Sequence, residues 1–313
     1  MNKFITLIFL TALMPLVINA KSINELTKLD RQLSNWGGYN HLSLNEITDF
    51  NGIENLEVKI RDPKSGALLE EEVLLSSVQD LSLEFYKNYQ LRFPLGIEKL
   101  INVVSIELSS CQLGKFSTEQ IKDLFQELAQ LPKLRKLDLS HNPELALLSD
   151  LKELPNVTRI DLSNNQLGSL SSVKLKQLFE YLSKLPNLVE LDLSSNDLHQ
   201  LPTAIGKLAN LSILKLERNH LKTVPNEIGQ LNNLTTLEVG HNNLSKLPST
   251  IGSLTKLLVL DIHGNNLSSL PKEIGNLKSL KKLPIFGNKF RSMPKEIKNL
   301  PNLKKRSLNG ENW

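Results

Sequence analysis

Apolar residues recur along this chain at a fixed distance. Nine positions mark the period: Asn88, Cys111, Asn142, Asn165, Asn196, Asn219, Asn242, Asn265 and Asn288, separated by 23, 31, 23, 31, 23, 23, 23 and 23 residues. Each has an apolar residue five and three positions before it, and usually a Leu two positions after. The alternation through that apolar pair predicts a short strand with one buried face. One such unit cannot bury its face alone, whereas stacked neighbours bury a continuous core. The period therefore predicts a solenoid with a parallel sheet of about ten strands, roughly 4.8 Å apart. The recurrent Asn falls just after the strand, where the chain must turn. Its amide is expected to bond the backbone of that turn and of the adjacent repeat as a ladder, since a buried amide left unpaired costs about 1–3 kcal/mol.

The second half of each repeat carries its own pattern. Segments starting at Leu201, Val224, Leu247, Leu270 and Met293 follow L-P-x-x-I-G-x-L-x-x-L, with Lys298 replacing Gly in the last; Phe93 begins an earlier copy. Pro cannot continue a ladder and Gly permits a tight turn, so these segments are expected to be extended or 3₁₀ pieces on the convex side. Two repeats are eight residues longer, and the extra length has helical periodicity. The first, over about 117–131, puts Ile121, Leu124, Phe125 and Leu128 on one stripe behind a Ser117/Gln120 capping pair. The second, over about 172–185, puts Val173, Leu175, Leu178, Phe179 and Leu182 inward.

The strand halves, among them Leu134 to Leu145, Val157 to Leu167, Leu188 to Leu198, Leu211 to Leu221, Leu234 to Leu244 and Leu257 to Leu267, read L-x-x-L-x-L-x-x-N-x-L. This resembles the leucine-rich repeat family. The 23-residue form with L-P-x-x-I-G is similar to the plant-type repeats of secreted leptospiral leucine-rich repeat proteins, and the resemblance covers residues 80–313. It implies an α/β solenoid: an arc with a concave parallel sheet and a mostly 3₁₀ or extended convex side, broken by the two helices. It also implies a bacterial, exported, non-enzymatic binding module that uses the concave face, with a host surface or matrix protein as partner. A periplasmic or envelope scaffold is the alternative; a carbohydrate binder fits less well, because few aromatics reach that face.

The rest of the chain frames this reading. Residues 1–20 have one positive charge, Lys3, an apolar run from Phe4 to Ile18 too short for a usual membrane span, and a small residue, Ala20, at the end. They read as a signal peptide cut before Lys21, and no later segment is apolar enough to span a membrane. Losing Lys3 takes the net charge from +4 to +3, too mild a balance for a nucleic-acid partner. Residues 21–79 lack the repeat. An amphipathic segment over 22–35 and two strand-like runs over 56–75 are expected to cap the first repeat's edge. Trp313, beside Lys304, Lys305 and Arg306, looks like a degenerate C-terminal cap. The single cysteine, Cys111, occupies a ladder position, which reads as a buried thiol substituting for Asn.

Function is expected on the concave strand face. The residue between the two strand apolar positions reads Glu84, Glu107, Asp138, Asp161, Asp192, Lys215, Glu238, Asp261, Pro284 and Ser307. Seven are carboxylates in one row, about 5 Å apart, a spacing at which two charges repel by about 3 kcal/mol at an effective dielectric of 20. Arg135, Lys136, Arg159, Lys215 and Arg218 are placed to neutralise part of the row. Lys281 and Lys282 form a basic patch beside Phe286, an exposed aromatic whose counterpart at the first strand is Tyr86. His220, His241 and His263 fall in successive repeats near Glu238 and Asp261, but they drift in register, so they read as turn residues rather than a metal site. No catalytic motif, metal site or cofactor is expected, and the chain reads as a monomer.

Overall fold

The computed structural model describes residues 103–304, apart from 112, 144–152 and 293, together with the backbone of four short strands nearer the N-terminus. Among the described residues there are eleven strands: β1 (Phe9–Leu10), β2 (Leu16–Asn19), β3 (Glu57–Ile60), β4 (Asp80–Ser82), β5 (Ser105–Glu107), β6 (Lys136–Asp138), β7 (Arg159–Asp161), β8 (Glu190–Asp192), β9 (Ile213–Lys215), β10 (Thr236–Glu238) and β11 (Val259–Asp261). From β4 to β11 each pairs in parallel with the next, so chain order is spatial order. In the full-length chain β1 lies antiparallel against β4, and β2 pairs with β3 in a separate two-stranded sheet.

Among the described residues the parallel sheet has eight strands; about ten were expected, and the last of those, through Ser307, lies outside the described residues. A further repeat follows, and Leu260 and Ile262 still donate to the carbonyls of Lys282 and Pro284, both at 3.1 Å. Pro284 has no N–H to return a bond, so only an isolated bridge from Val259 to Lys282 remains. At the other end, β4 pairs Ser82 with Glu107 and Leu81 with Ile106. The sequence frame puts Glu84 and Leu83 at those places. The register differs by two residues, so Ser82 rather than Glu84 stands opposite Glu107. Glu84, Tyr86 and Asn88, the cap region's side chains, and Lys305, Arg306, Ser307 and Trp313 lie outside the described residues.

The ladder is continuous from Asn142 to Asn288. Asn219 shows the pattern: its Oδ1 accepts from the N–H of Asn196 at 3.1 Å and of Leu198 at 2.9 Å, while its Nδ2 donates to the carbonyls of Leu193, Leu216 and Glu217. Each amide thus joins its own turn to the preceding repeat. The backbone bends sharply to allow this. The residue before each ladder position has positive φ, from Ser110 through His141, Asn164, Ser195, Arg218 and His241 to Gly264 and Gly287. Only the last two are glycines, so six repeats hold an ordinary side chain in the left-handed region, at a cost on the order of 1 kcal/mol each. Cys111 is fully buried in its ladder place. Its thiol faces the carbonyl of Ser109 at 3.5 Å, the same two-residues-back contact that Nδ2 of Asn142 makes with Ser140.

On the convex side, α1 (Thr118–Leu128) starts at a Ser117/Gln120 capping box, and α2 (Ser172–Leu182) is capped by Ser171. Both are shorter than the sequence estimates because the chain leaves each helix through tightened turns, Leu131 bonding back to Leu128 and Leu185 to Leu182. Val173 is not inward. It is 64% exposed, and Tyr181 is buried instead. At 100° per residue Val173 sits about 160° round the helix from Leu175. Burial pushes the Tyr181 hydroxyl pKa well up, and its ring meets Phe125 of α1 edge-on at 6.5 Å.

The later repeats replace helices with 3₁₀ turns, Thr203–Lys207, Asn226–Gln230, Ser249–Ser253, Lys272–Asn276 and Lys295–Asn299, each entered through a Pro. Their glycines were expected to serve a tight turn, but the reason is space. A Cβ on Gly229 would lie 2.6 Å from the Thr250 carbonyl oxygen of the next turn, and one on Gly252 2.5 Å from that of Glu273. At Gly275 the same neighbour is 3.8 Å away, and at the next position the chain has Lys298.

If the ladder holds the repeats together, truncating a central rung strands two buried N–H donors. Asn219→Ala should lower the unfolding free energy by about 3 kcal/mol in urea titration. Asn288→Ala, at a half-exposed rung with fewer partners, should cost less. Equal losses would mean the rungs act only through local turn geometry.

Candidate functional site: the concave face

The parallel register aligns the outward strand residues in columns. Glu107 stands opposite Asp138, Asp138 opposite Asp161, Asp161 opposite Asp192, Asp192 opposite Lys215, Lys215 opposite Glu238, and Glu238 opposite Asp261. The row predicted from sequence therefore exists over the described strands. Pro284 extends it by position but adds no charge.

The aspartates of this row have a structural task as well. Oδ1 of Asp138, Asp161 and Asp192 accepts from the N–H two residues on, at Ser140, Ser163 and Ser194, at 2.8, 2.9 and 2.9 Å. Asp261 does the same for His263 at 3.1 Å. A short carboxylate can close this turn as the chain leaves the strand. Burial pushes the Asp161 pKa up first, the Ser163 bonds pull it down, and neighbouring Asp192 and Asp138 push it up again, with a net rise.

Lys215 divides the row. Its ammonium lies 3.4 Å from Glu190 and 3.6 Å from Asp192, and Arg159 lies 3.5 Å from Glu190. Burial works to lower the Lys215 pKa, but Asp192 and Glu190 outweigh it and leave it raised. Arg159 and Lys215 thus neutralise the middle of the row, as expected. Arg135 instead turns to the carbonyls of Leu134 and Asn156 at 3.2 and 3.3 Å. Glu190, in the column before the row, was missed by the sequence reading.

A second group forms past Lys215. Two residues after the row, the outward column reads Ser109, Ser140, Ser163 and Ser194, then Glu217, Gly240, His263 and Phe286. His263 Nδ1 lies 2.5 Å from Asp261 Oδ1. Glu217 joins them, with a possible donor atom from each of the three residues within 4.8 Å of the others. Phe286 is half-buried, not an open aromatic, because its ring stacks on His263 at 4.7 Å. His241 meets the same imidazole edge-on at 4.4 Å, whereas His220 turns away to Asp197 at 3.4 Å and His199. The histidines drift in register as expected, yet one joins two carboxylates. The signal available in sequence was the change of that column from Ser to Glu, Gly, His and Phe. Glu238 lies in the row beneath it. Its pKa is raised by burial first and then by Glu217, with Lys215 pulling the other way. At the far edge Lys281 and Lys282 are exposed, with exposed Lys304 in the next repeat.

Comparison with known proteins agrees with this architecture. Residues 199–313 match the model of a leucine-rich repeat region, and residues 187–208 match a leucine rich repeat. Residues 187–313 are therefore leucine-rich repeats. Among solved structures the chain is similar to a leucine-rich repeat protein of Leptospira interrogans, with 36% identity over 58% of this chain and 44% of that one, at a TM-score of 0.49. Internalin C2 of Listeria monocytogenes aligns at 21% identity over 76% of this chain and 83% of that one, at 0.46. A TLR13–ssRNA13 complex aligns at 23% identity over 72% and 35%, at 0.53. This chain spans less than half the length of the leptospiral protein it matches. A search of curated protein sequences returns no match. Leucine-rich repeat proteins are generally protein-interaction modules. Among the described residues no helix is long and apolar enough to cross a membrane.

Two outcomes test these electrostatics. A carboxyl whose folded pKa is raised favours folding most when protonated, so its ionisation weakens the fold as pH rises through that pKa. Glu238→Gln should therefore raise the urea midpoint at pH 7 and have little effect near pH 3.5, below the ordinary carboxyl range; a lower midpoint at pH 7 would contradict the sign. Lys215→Gln should destabilise by about 1 kcal/mol at low salt, and less in 1 M salt, where charges beyond about 3 Å are screened. A loss independent of salt would assign Lys215 a packing role instead.

Proposed function

We propose that this chain is an exported, non-enzymatic binding module that seats a protein partner on its concave face. The observation that carries the reading is the register-aligned outward surface itself. It runs from carboxylates at Glu107, Asp138 and Asp161, through the neutralised middle at Lys215 and a second acidic stretch at Glu238 and Asp261, to Lys281 and Lys282 at the far edge. Such a surface alternates in charge along its length and complements a partner with the opposite pattern of charge, which steers association and sets orientation. The carboxylate row would repel nucleic-acid phosphates, so the partner is a protein.

Residues 1–20 act as the export leader, cut before Lys21, and residues 21–79 shield the first repeat's edge. The exported chain works as a monomer and meets its partner outside the cell, at a host surface or matrix. The leader-like sequence of residues 1–20 supports export.

The test is solid-phase binding of the secreted protein to a panel of host surface and matrix proteins, at low and physiological salt. Saturable binding should weaken by roughly ten-fold in a triple Asp138→Asn, Asp161→Asn, Asp192→Asn variant and in a Lys281→Glu, Lys282→Glu variant. Asn retains the turn-closing oxygen, so the first variant removes charge without removing the cap. Unchanged affinity in both variants would place the partner elsewhere on the molecule.

A further inference from the structure

We infer that Glu217, Asp261 and His263 form a binding site on the concave face for a divalent transition-metal ion of the zinc class. This goes beyond the protein-binding reading and does not depend on it.

Three observations converge. First, the three side chains offer one imidazole and two carboxylates, with donor atoms of all three within 4.8 Å of one another. Nitrogen with carboxylate oxygen suits zinc and its neighbours, whereas calcium and magnesium take oxygen donors.

Second, the meeting depends on Gly240. Glu217 and His263 occupy the same column two strands apart, which puts their backbones roughly 10 Å from one another. The residue between them is Gly240. A Cβ there would lie 2.5 Å from His263 Nδ1 and Cε1 and 3.3 Å from Glu217 Oε1. The missing side chain leaves a hollow into which both groups lean. In the four earlier strands this column holds Ser109, Ser140, Ser163 and Ser194, whose small side chains span no such distance.

Third, the ring is held and two of the nearby carboxylates have no ion pair. Phe286 stacks on the imidazole at 4.7 Å and His241 meets it edge-on at 4.4 Å, which limits its rotation. Glu217 and Glu238 make no ion pair among the described residues; the nearest cation of the row, Lys215, is engaged by Glu190 and Asp192. A metal ion would supply the missing positive charge.

Geometry requires only side-chain adjustment. Metal–ligand distances of about 2.0–2.2 Å place donors roughly 3.3–3.6 Å apart. Glu217 must swing inward, and Asp261 must yield its close contact with Nδ1 or present its other oxygen. Three protein ligands leave a coordination position open to water.

The test is calorimetric titration of untagged full-length protein with zinc chloride, repeated for Glu217→Ser, His263→Ser and His220→Ala. Serine is the residue of the four earlier strands in this column, so the first two variants should keep the fold, with circular dichroism and urea midpoint as the check. The expected result is one saturable zinc per chain, weakened roughly ten-fold or more in each Ser variant and unchanged in His220→Ala. Absence of saturable binding in the wild type overturns the inference. So does wild-type affinity in either Ser variant, or loss in His220→Ala, which would move the ion to the His199, His220 and Asp197 group.

Discussion

Everything on the concave face depends on the turn after each strand, and the turn depends on the ladder amide. The chain must reverse from the sheet toward the convex side within three residues. It does so by placing the residue before each rung in the left-handed region, which most side chains disfavour. His141, Asn164, Ser195, Arg218 and His241 hold this conformation without glycine. What offsets the cost is the amide that follows. Asn219 alone satisfies two N–H groups of the preceding repeat and three carbonyls, with four of these five bonds buried. An unfavourable turn and a highly bonded amide therefore occur together, and the repeat length is the distance between successive pairs. The eight extra residues in the two long repeats pass to the convex side as α1 and α2, leaving the register of β5 to β8 unbroken.

That fixed register is what makes surface chemistry possible on strands of three residues. A column position in one repeat is always about one strand spacing from its counterpart in the next. Like charges are brought close, and the chain answers this in two ways. Asp138, Asp161 and Asp192 spend one oxygen on the backbone, tying down each carboxylate. Lys215 interrupts the sequence of acids and gathers Glu190 and Asp192 around itself. The repulsion estimated for a bare row is thus confined to two separate stretches, one on each side of Lys215.

Much of this was legible in the sequence, for a physical reason. A ladder rung, a buried strand pair and a capping box are local patterns whose spacing is set by backbone geometry, so Asn142 to Asn288, α1's Ser117/Gln120 cap and the outward row could be read directly. The missed features depend on neighbours. Val173 is apolar yet points to solvent, because the helix phase is set by Leu175, Leu178 and Leu182. Gly229 and Gly252 look like turn glycines but are required by the carbonyl of the following turn. Ser82 rather than Glu84 stands opposite Glu107, and a strand pattern of period two does not distinguish registers that differ by two residues. Glu217 and His263, 46 residues apart, are joined only through what Gly240 lacks.

The two halves of the concave face differ in texture as well as charge. Beside the acids of β5 to β8 the next column is serine, and the Ser140 and Ser109 hydroxyls bond each other at 3.0 Å. This floor is shallow and polar, suited to a partner surface that lies across several strands. Beyond Lys215 the same column becomes Glu217, Gly240, His263 and Phe286, and the floor acquires a hollow flanked by an imidazole and an aromatic ring. A solenoid can change chemistry in this way without disturbing its core, because the column points away from the leucines that stack the repeats. Substitutions there alter what the face can hold and leave unaltered what holds the face.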